Sequence, residues 1–208
     1  MDEAAAGDAP YPSGLRTDHG FHPVRRWRDE RFSMTTDTII HTLEVEDLTP
    51  AAFAPFGEVL AVRERPTFDL PTKTLHRFDW STDSETIVQI IAFKPMPFIV
   101  GAVERHWHVT ESRMHIGGSP AVVVVAPPSD APPTLSDLRA FRIDRQGFMF
   151  KTGTWHSLNA YPEGSAPSEF LFLSDRATQS ELFDNPTPNP VRSSIHRFET
   201  GIAIRPPA

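Results

Sequence analysis

The sequence predicts an all-β domain that closes as a jelly-roll-like barrel with one or two short helices. Its apolar residues come in short β-branched or aromatic runs, which are typical of strands. The clearest are Thr86–Phe93, Ala121–Ala126, Leu138–Ile143 and Phe170–Leu173. The 21 prolines among 208 residues fall mostly between these runs, where they suit turns and strand edges. So many strands must close on themselves or pack as two sheets to hide their edges.

The remaining elements follow in chain order. Residues 1–37 show neither strand nor helical periodicity, so we expect a disordered or arm-like extension. The barrel is expected over residues 38–184. A short helix is predicted at Thr49–Phe56, because Thr49 can cap it, Pro50 suits its first turn and Gly57 can end it. Residues 185–208 form a C-terminal extension, in which Val191–Ile204 is predicted to return as a strand or as an arm over a neighbour.

Composition excludes several classes of function. The formal charge of −7 provides no broad positive field for nucleic acid or for an anionic membrane. The chain has no cysteine, which excludes disulfides, thiolate catalysis and Cys-ligated metals, so any metal site must use His, Asp or Glu. No apolar run has the length of a signal-peptide core or of a membrane helix. We therefore expect a soluble, cytoplasmic protein.

The densest cluster of reactive side chains runs from Glu104 to Glu111. On a strand, side chains alternate between faces, so Glu104, His106 and His108 are expected to point together into the barrel. Arg105 and Trp107 would then point the other way. Glu111 has the wrong parity to join the histidines, and a bulge or turn near residues 109–110 would be needed to bring it there.

A second cluster lies at Gly147–Asn159. Gly153 permits a tight turn, after which His156 can face inward from the next strand. Together the two stretches resemble the pair of motifs of cupins. That resemblance implies one divalent metal held by His106, His108, Glu111 and His156; nickel, manganese and zinc all accept such ligands. No organic cofactor is expected.

Six short segments between residues 42 and 178 form a collinear set: Leu48–Leu60, Val103–His106, Pro133–Phe141, Gln146–Gly147, Gly153–His156 and Asp175–Arg176. In order and spacing this set resembles the ureidoglycolate lyase family, long called ureidoglycolate hydrolase. The resemblance implies a cupin-like barrel, usually a homodimer, that splits ureidoglycolate into glyoxylate and urea in purine and allantoin degradation. Such an enzyme is a carbon–nitrogen lyase. Family members often carry Thr-Gln-Ala-Phe where this chain reads Thr110 to Arg113.

The resemblance and the chemistry of a carbinolamide together suggest roles for individual residues. One base and one acid suffice for the elimination, and we assign the base to His106 or His156. Glu104 would orient an imidazole or donate the proton. The substrate carboxylate needs a cation, because burying an unpaired charge is costly. The candidates for this cation are Arg105, Arg139, Lys151 and Arg113.

Two other functions remain open from the sequence. A metal-dependent cupin oxygenase or isomerase acting on a small organic acid would use the same histidines. A non-catalytic cupin would bind a small acid without turnover.

Overall fold

The structure, a computed structural model, describes residues 41–205. Its regular elements are almost all strands, which confirms the predicted all-β, jelly-roll-like class. The strands are β1 (His41–Asp47), β2 (Gly57–Leu60), β3 (Phe68–Leu70), β4 (Lys73–Leu75), β5 (Thr86–Phe93), β6 (Ile99–His106), β7 (Ser112–Gly118), β8 (Ala121–Ala126), β9 (Arg139–Ile143), β10 (Gly147–Phe150), β11 (Trp155–Ser157), β12 (Tyr161–Pro162), β13 (Ser168–Asp175) and β14 (Ser193–Arg205). Two short α-helices, α1 (Pro50–Phe53) and α2 (Arg176–Gln179), a 3₁₀ turn (Leu135–Asp137) and a π-helical turn (Ser180–Asp184) complete the fold.

Six of these strands close into a barrel. They follow the order β11-β6-β14-β1-β9-β8, and β8 pairs back onto β11. Closure leaves the barrel strands without free edges. The interior is filled by apolar side chains from all six strands, with Val103, Val124 and Trp155 among them.

A five-stranded antiparallel sheet, in the order β2-β10-β7-β13-β5, covers one side of the barrel. Its inner face packs against β8 and β9 through a second, phenylalanine-rich core that includes Phe141, Phe148 and Phe170. Strand β8 therefore has apolar neighbours on both faces. This explains why Ala121–Ala126 is apolar throughout and fully buried, instead of alternating.

The predicted helix at Thr49–Phe56 is shorter in the structure. The Thr49 side chain accepts a hydrogen bond from Ala52 N at 3.2 Å, so the predicted cap is confirmed. The helix ends at Phe53, and Gly57 already begins β2. A Cβ atom at Gly57 would lie 2.0 Å from the Met149 carbonyl oxygen, so this glycine is required for the close approach of β2 to β10.

The C-terminal strand belongs to the barrel. Strand β14 pairs with β6 on one side and with β1 on the other, so the barrel extends to Arg205 and does not end at residue 184. The strand that was expected to return at Val191–Ile204 is this one. The extension predicted at residues 1–37 lies outside the described residues. Within residues 41–205, no helix is long and apolar enough to cross a membrane.

Candidate active site

A cavity of about 370 Å³ lies between the five-stranded sheet and the barrel. Strands β5, β7 and β13 form one wall, β6 contributes a second, and α2 with the π-helical turn borders the cavity. Its lining includes four ionisable side chains, three amides and six apolar side chains: Glu104, His106, Glu111, Arg113, Gln89, Asn159, Gln179, Ile91, Phe93, Leu158, Phe172, Leu182 and Phe183.

Glu104 and His106 reach this cavity from the same face of β6, which confirms the predicted alternation. The expectation that they point into the barrel is wrong: they point into the space between the barrel and the five-stranded sheet, whereas Val103, on the other face, packs inside the barrel. Strand β11 runs antiparallel to β6 and places His156 directly opposite Glu104. The two histidines therefore meet, with ring centroids 5.1 Å apart, although 50 residues separate them in the sequence.

Glu104, His106 and His156 form a cluster in which one potential ligand atom from each residue lies within 4.8 Å of the others. His156 Nδ1 lies 3.3 Å from the Ser157 carbonyl oxygen. Because a carbonyl only accepts hydrogen bonds, we assign the proton to Nδ1. His156 Nε2 is buried and has no hydrogen-bond partner among residues 41–205. The imidazole is stacked on Phe150, at 4.6 Å between centroids.

Glu111 joins the site through a turn. The chain leaves β6 at His106 and begins β7 at Ser112. The expected break in the strand is present, but it is a bend at residues 107–108, and Val109 forms a β-bridge with Thr82. His106 Nε2 lies 3.4 Å from Glu111 Oε2, and His106 Nδ1 lies 3.0 Å from Ser193 Oγ on β14. Arg113 Nε donates to Glu111 Oε1 at 2.7 Å. Glu111 is thus held between a histidine and an arginine.

Charge and burial shift the four acid–base groups in different directions. Burial, reinforced by the charge of Glu111, raises the pKa of Glu104. Burial also disfavours a charged His106, but its hydrogen bond to Glu111 and the charges of Glu104 and Glu111 outweigh burial, so the pKa of His106 is raised. Arg113, His156 and His106 overcome the burial of Glu111 and lower its pKa. Burial lowers the pKa of His156 to about 3, which the charge of Glu111 only partly opposes.

Arg113 is the cation of this cavity. Its side chain is 3% exposed, and its guanidinium lies among the rings of Phe93, Phe150 and Phe172, at 5.6–5.7 Å from each centroid. Its Nη1 is buried and has no hydrogen-bond partner within the described chain. An unpaired donor in an apolar wall is costly unless a ligand completes it.

The other predicted cations lie elsewhere. Arg105 points to the opposite face of β6 from Glu104, where its guanidinium packs against Trp107 and Trp155 and donates to the Asp130 carbonyl. Arg139 is paired with Glu46 on β1. Lys151 Nζ donates to the Ala54 carbonyl at 2.6 Å. None of these three side chains lines the cavity that His106 lines.

His108 is also not part of the cluster, which corrects the expected metal-binding set. Its side chain is 42% exposed, and its Nδ1 lies 2.8 Å from Asp83 Oδ2. The reason is that β6 ends at His106, so strand alternation does not extend to residue 108. The cluster found among the described residues is Glu104, His106 and His156, so Glu111 is also not part of it and is paired with Arg113 instead. Sequence reasoning missed Gln89 and Gln179, since nothing in the sequence indicates that β5 and α2 meet.

The part of the chain that forms this site also matches known proteins. A family profile described as "Ureidoglycolate lyase" matches residues 40–192. The "Ureidoglycolate lyase" of Pseudomonas syringae pv. tomato is 32% identical over 126 residues, which cover 56% of this chain and 74% of that protein. Proteins of the same name from Stutzerimonas stutzeri and Pseudomonas putida are 35% and 36% identical, over 56% of this chain and 74% and 75% of their own lengths.

Proposed function

The chain belongs to the ureidoglycolate lyase family, and from this premise we propose that it cleaves the carbon–nitrogen bond of ureidoglycolate to release glyoxylate and urea. The observation that carries the proposal is the cavity in which Glu104 and His106 stand beside an arginine with an unpaired donor. Such a cavity offers an acid, a base and an anchor for a carboxylate to one small ligand. The family match favours this reaction over an oxygenase, an isomerase or a non-catalytic acid-binding protein.

The reaction requires two proton transfers. In ureidoglycolate one carbon carries a hydroxyl, a carboxylate and the ureido nitrogen. The hydroxyl loses its proton, the carbon–oxygen bond becomes a carbonyl, the carbon–nitrogen bond breaks, and the departing nitrogen gains a proton. Glyoxylate and neutral urea result. A positioned base and a positioned acid each contribute on the order of 10²–10⁴-fold to such a step.

Glu104 is the base in this proposal. Its carboxylate makes no hydrogen bond to residues 41–205, so its lone pairs are free for a substrate hydroxyl. Its raised pKa makes it a stronger base than an exposed carboxylate. The charge of His106 favours the ionised form of Glu104, and Glu104 in turn favours protonated His106.

His106 is the acid that protonates the leaving nitrogen. Its raised pKa favours the imidazolium. Ser193 holds the ring at Nδ1 over 3.0 Å, and Nε2, whose contact with Glu111 is longer at 3.4 Å, is the nitrogen that gives its proton to the substrate. These roles for Glu104 and His106 are the reverse of those suggested by the sequence, because Glu111 stabilises the charged form of the histidine. His156 does not line the cavity, and its Nδ1 lies 4.0 Å from Glu104 Oε1, beyond hydrogen-bond distance.

Arg113 binds the substrate carboxylate. Its unpaired Nη1 donor and its positive charge meet the needs of a carboxylate, and the neighbouring rings of Phe93 and Phe172 exclude water from the pair. A buried arginine interacts more strongly with an anion than an exposed one does.

The cluster of Glu104, His106 and His156 would hold a divalent ion such as nickel, manganese or zinc. His156 fits such an ion, because it is neutral and its buried Nε2 has no partner, which is the form in which histidine binds metals. His106 would join it as a ligand only in its neutral form, and therefore not while it holds the proton of the acid. Such an ion would supply Lewis acidity toward the oxygens of the substrate. The ionic anchor for the carboxylate remains Arg113, because it lies on the opposite wall.

The direct test is to incubate the purified chain with racemic ureidoglycolate, with and without a chelator, and to measure glyoxylate and urea. We expect both products in equal amounts and consumption of one enantiomer. Sensitivity to chelator would assign a metal to the cluster, whereas absence of products in both reactions would contradict the proposed function. The family resemblance further supports a cytoplasmic homodimer in purine nitrogen degradation, and light scattering would measure the oligomeric state.

A further inference from the structure

We propose that Gln89 and Gln179 recognise the ureido end of the substrate and thereby make the cavity selective for ureido acids over other small hydroxy acids. This inference rests on the proposed function, since it concerns the same cavity. It assigns a specificity role to two amides, which come from two different elements, β5 and α2, and meet at one border of the site.

The two amides are hydrogen-bonded to each other, and one polar atom of each takes no part in this bond. Gln89, on β5, donates from Nε2 to Oε1 of Gln179, at the end of α2, over 3.2 Å. This bond uses one donor of Gln89 and one lone pair of Gln179. The Gln89 carbonyl oxygen and the Gln179 amide nitrogen make no hydrogen bond to other side chains among residues 41–205. Both residues line the cavity, so a free acceptor and a free donor lie side by side at its border.

Strand register sets the distance between this amide pair and the carboxylate anchor. Gln89 is directly opposite Phe172 in the pairing of β5 with β13, and Phe172 is opposite Arg113 in the pairing of β13 with β7. The three residues therefore form one row on the inner face of the sheet. Two strand spacings separate the ends of the row, or about 10 Å between backbones. The side chains of Gln89 and Arg113 thus border a space that suits a short molecule with a polar group at each end.

Ureido chemistry matches what the amide pair leaves free. A ureido group carries a carbonyl acceptor and N–H donors next to each other, so it can pair with the Gln179 amide nitrogen and the Gln89 carbonyl oxygen together. A hydroxy acid without that group would leave both amides without partners in a partly buried site. Sites built to hydrogen-bond a substrate group discriminate strongly against ligands that lack it.

A purely structural role for the amide pair makes a different prediction. If the bond only ties α2 to β5, its loss would disturb the whole cavity and weaken all ligands alike. Recognition of the ureido end instead predicts a selective loss. Two unreactive or product-like ligands separate these roles: ureidoacetate, which has the ureido group but no hydroxyl to eliminate, and glycolate, which has the hydroxyl and carboxylate but no ureido group.

The experiment measures binding of ureidoacetate and glycolate by calorimetry to the full chain and to Gln89→Met and Gln179→Met. Methionine keeps the length of glutamine and removes its polarity. We expect each variant to weaken ureidoacetate at least about tenfold and to change glycolate less than about twofold. Arg113→Lys should weaken both ligands, and Asn189→Leu, which removes an exposed amide outside the cavity, should change neither.

The inference is overturned if the glutamine variants weaken both ligands equally or leave ureidoacetate unchanged. Because binding is measured without turnover, this result is separate from that of the proposed function. If binding of ureidoacetate depends on the two glutamines but ureidoglycolate is not cleaved, the proposed reaction is contradicted and the recognition of the ureido group is supported. If ureidoglycolate is cleaved with the same kcat and KM in both glutamine variants, the proposed reaction is supported and the recognition of the ureido group is contradicted.

Discussion

His106 Nε2 and Glu111 Oε2 lie 3.4 Å apart, and each side chain is only 3% exposed. The carboxylate of Glu111 also accepts a hydrogen bond from Arg113. Glu111 thereby connects the proposed acid to the proposed anchor for the carboxylate. Because water is largely excluded, a change at this one carboxylate should alter both the protonation of His106 and the stability of the fold.

The first prediction concerns pH dependence. Glu111 raises the pKa of His106, so Glu111→Gln should lower it. Activity that needs protonated His106 is lost as pH rises through that pKa, and the alkaline limb of the profile of kcat/KM should therefore move to lower pH in the variant. The control is Asp83→Asn, which removes the carboxylate beside exposed His108 and should leave the profile in place. An unmoved alkaline limb in Glu111→Gln would contradict the acid role of His106.

The second prediction concerns the buried pair of Glu111 and Arg113. Removing one partner of such a pair leaves an uncompensated charge, so Arg113→Met should lower the free energy of unfolding by about 3–5 kcal/mol. The double variant Glu111→Gln with Arg113→Met should lose less than the sum of the two single losses, because it leaves neither charge. Denaturant unfolding of the four proteins measures this, and strict additivity would show that the two side chains are not coupled.

The third prediction separates stability from function at Glu104. The pKa of Glu104 is higher in the folded protein than its ordinary value of 4.5. Protonated Glu104 therefore favours folding at low pH, and this contribution to the free energy of unfolding is lost as pH rises from 4.5 through the pKa of the folded state. Glu104→Gln removes the ionised form and should stabilise the fold at pH 8 but not at pH 4. A gain on the order of 1 kcal/mol raises Tm by about 2–4 °C in a domain of this size.

Calorimetry of both proteins at both pH values tests this prediction. The same substitution should abolish most of the turnover, because an amide cannot accept the hydroxyl proton. A variant that is less stable than the parent at pH 8 would show that Glu104 is held as a favourable, ionised partner in the folded state.

Local pattern was sufficient to predict several parts of the site. The strands Thr86–Phe93 and Ala121–Ala126 have the predicted bounds, and alternation along β6 correctly separated Glu104 and His106 from Arg105. Alternation failed at His108 because it depends on where the strand ends, and strand ends are set by tertiary pairing. The position of β6 beside β14, which supplies Ser193 to His106, has no local signature.

Arg113 and the amide pair could not be assigned from local sequence patterns either. Four basic side chains were candidates for the carboxylate anchor, and only the pairing of β7 with β13 brings Arg113 to the cavity. Gln89 and Gln179 are 90 residues apart and meet because α2 follows β13, the partner of β5. Such contacts are set by topology and not by spacing in the sequence.

The most direct test of the account compares two histidines that are two residues apart. His106→Ala should lower kcat for glyoxylate release from ureidoglycolate by about 10²–10⁴-fold, because it removes the acid from the cavity. His108→Ala should leave kcat within about twofold of the parent, because its side chain lies outside the cavity and pairs with Asp83. Turnover that survives in His106→Ala to within a few-fold of the parent would contradict the account.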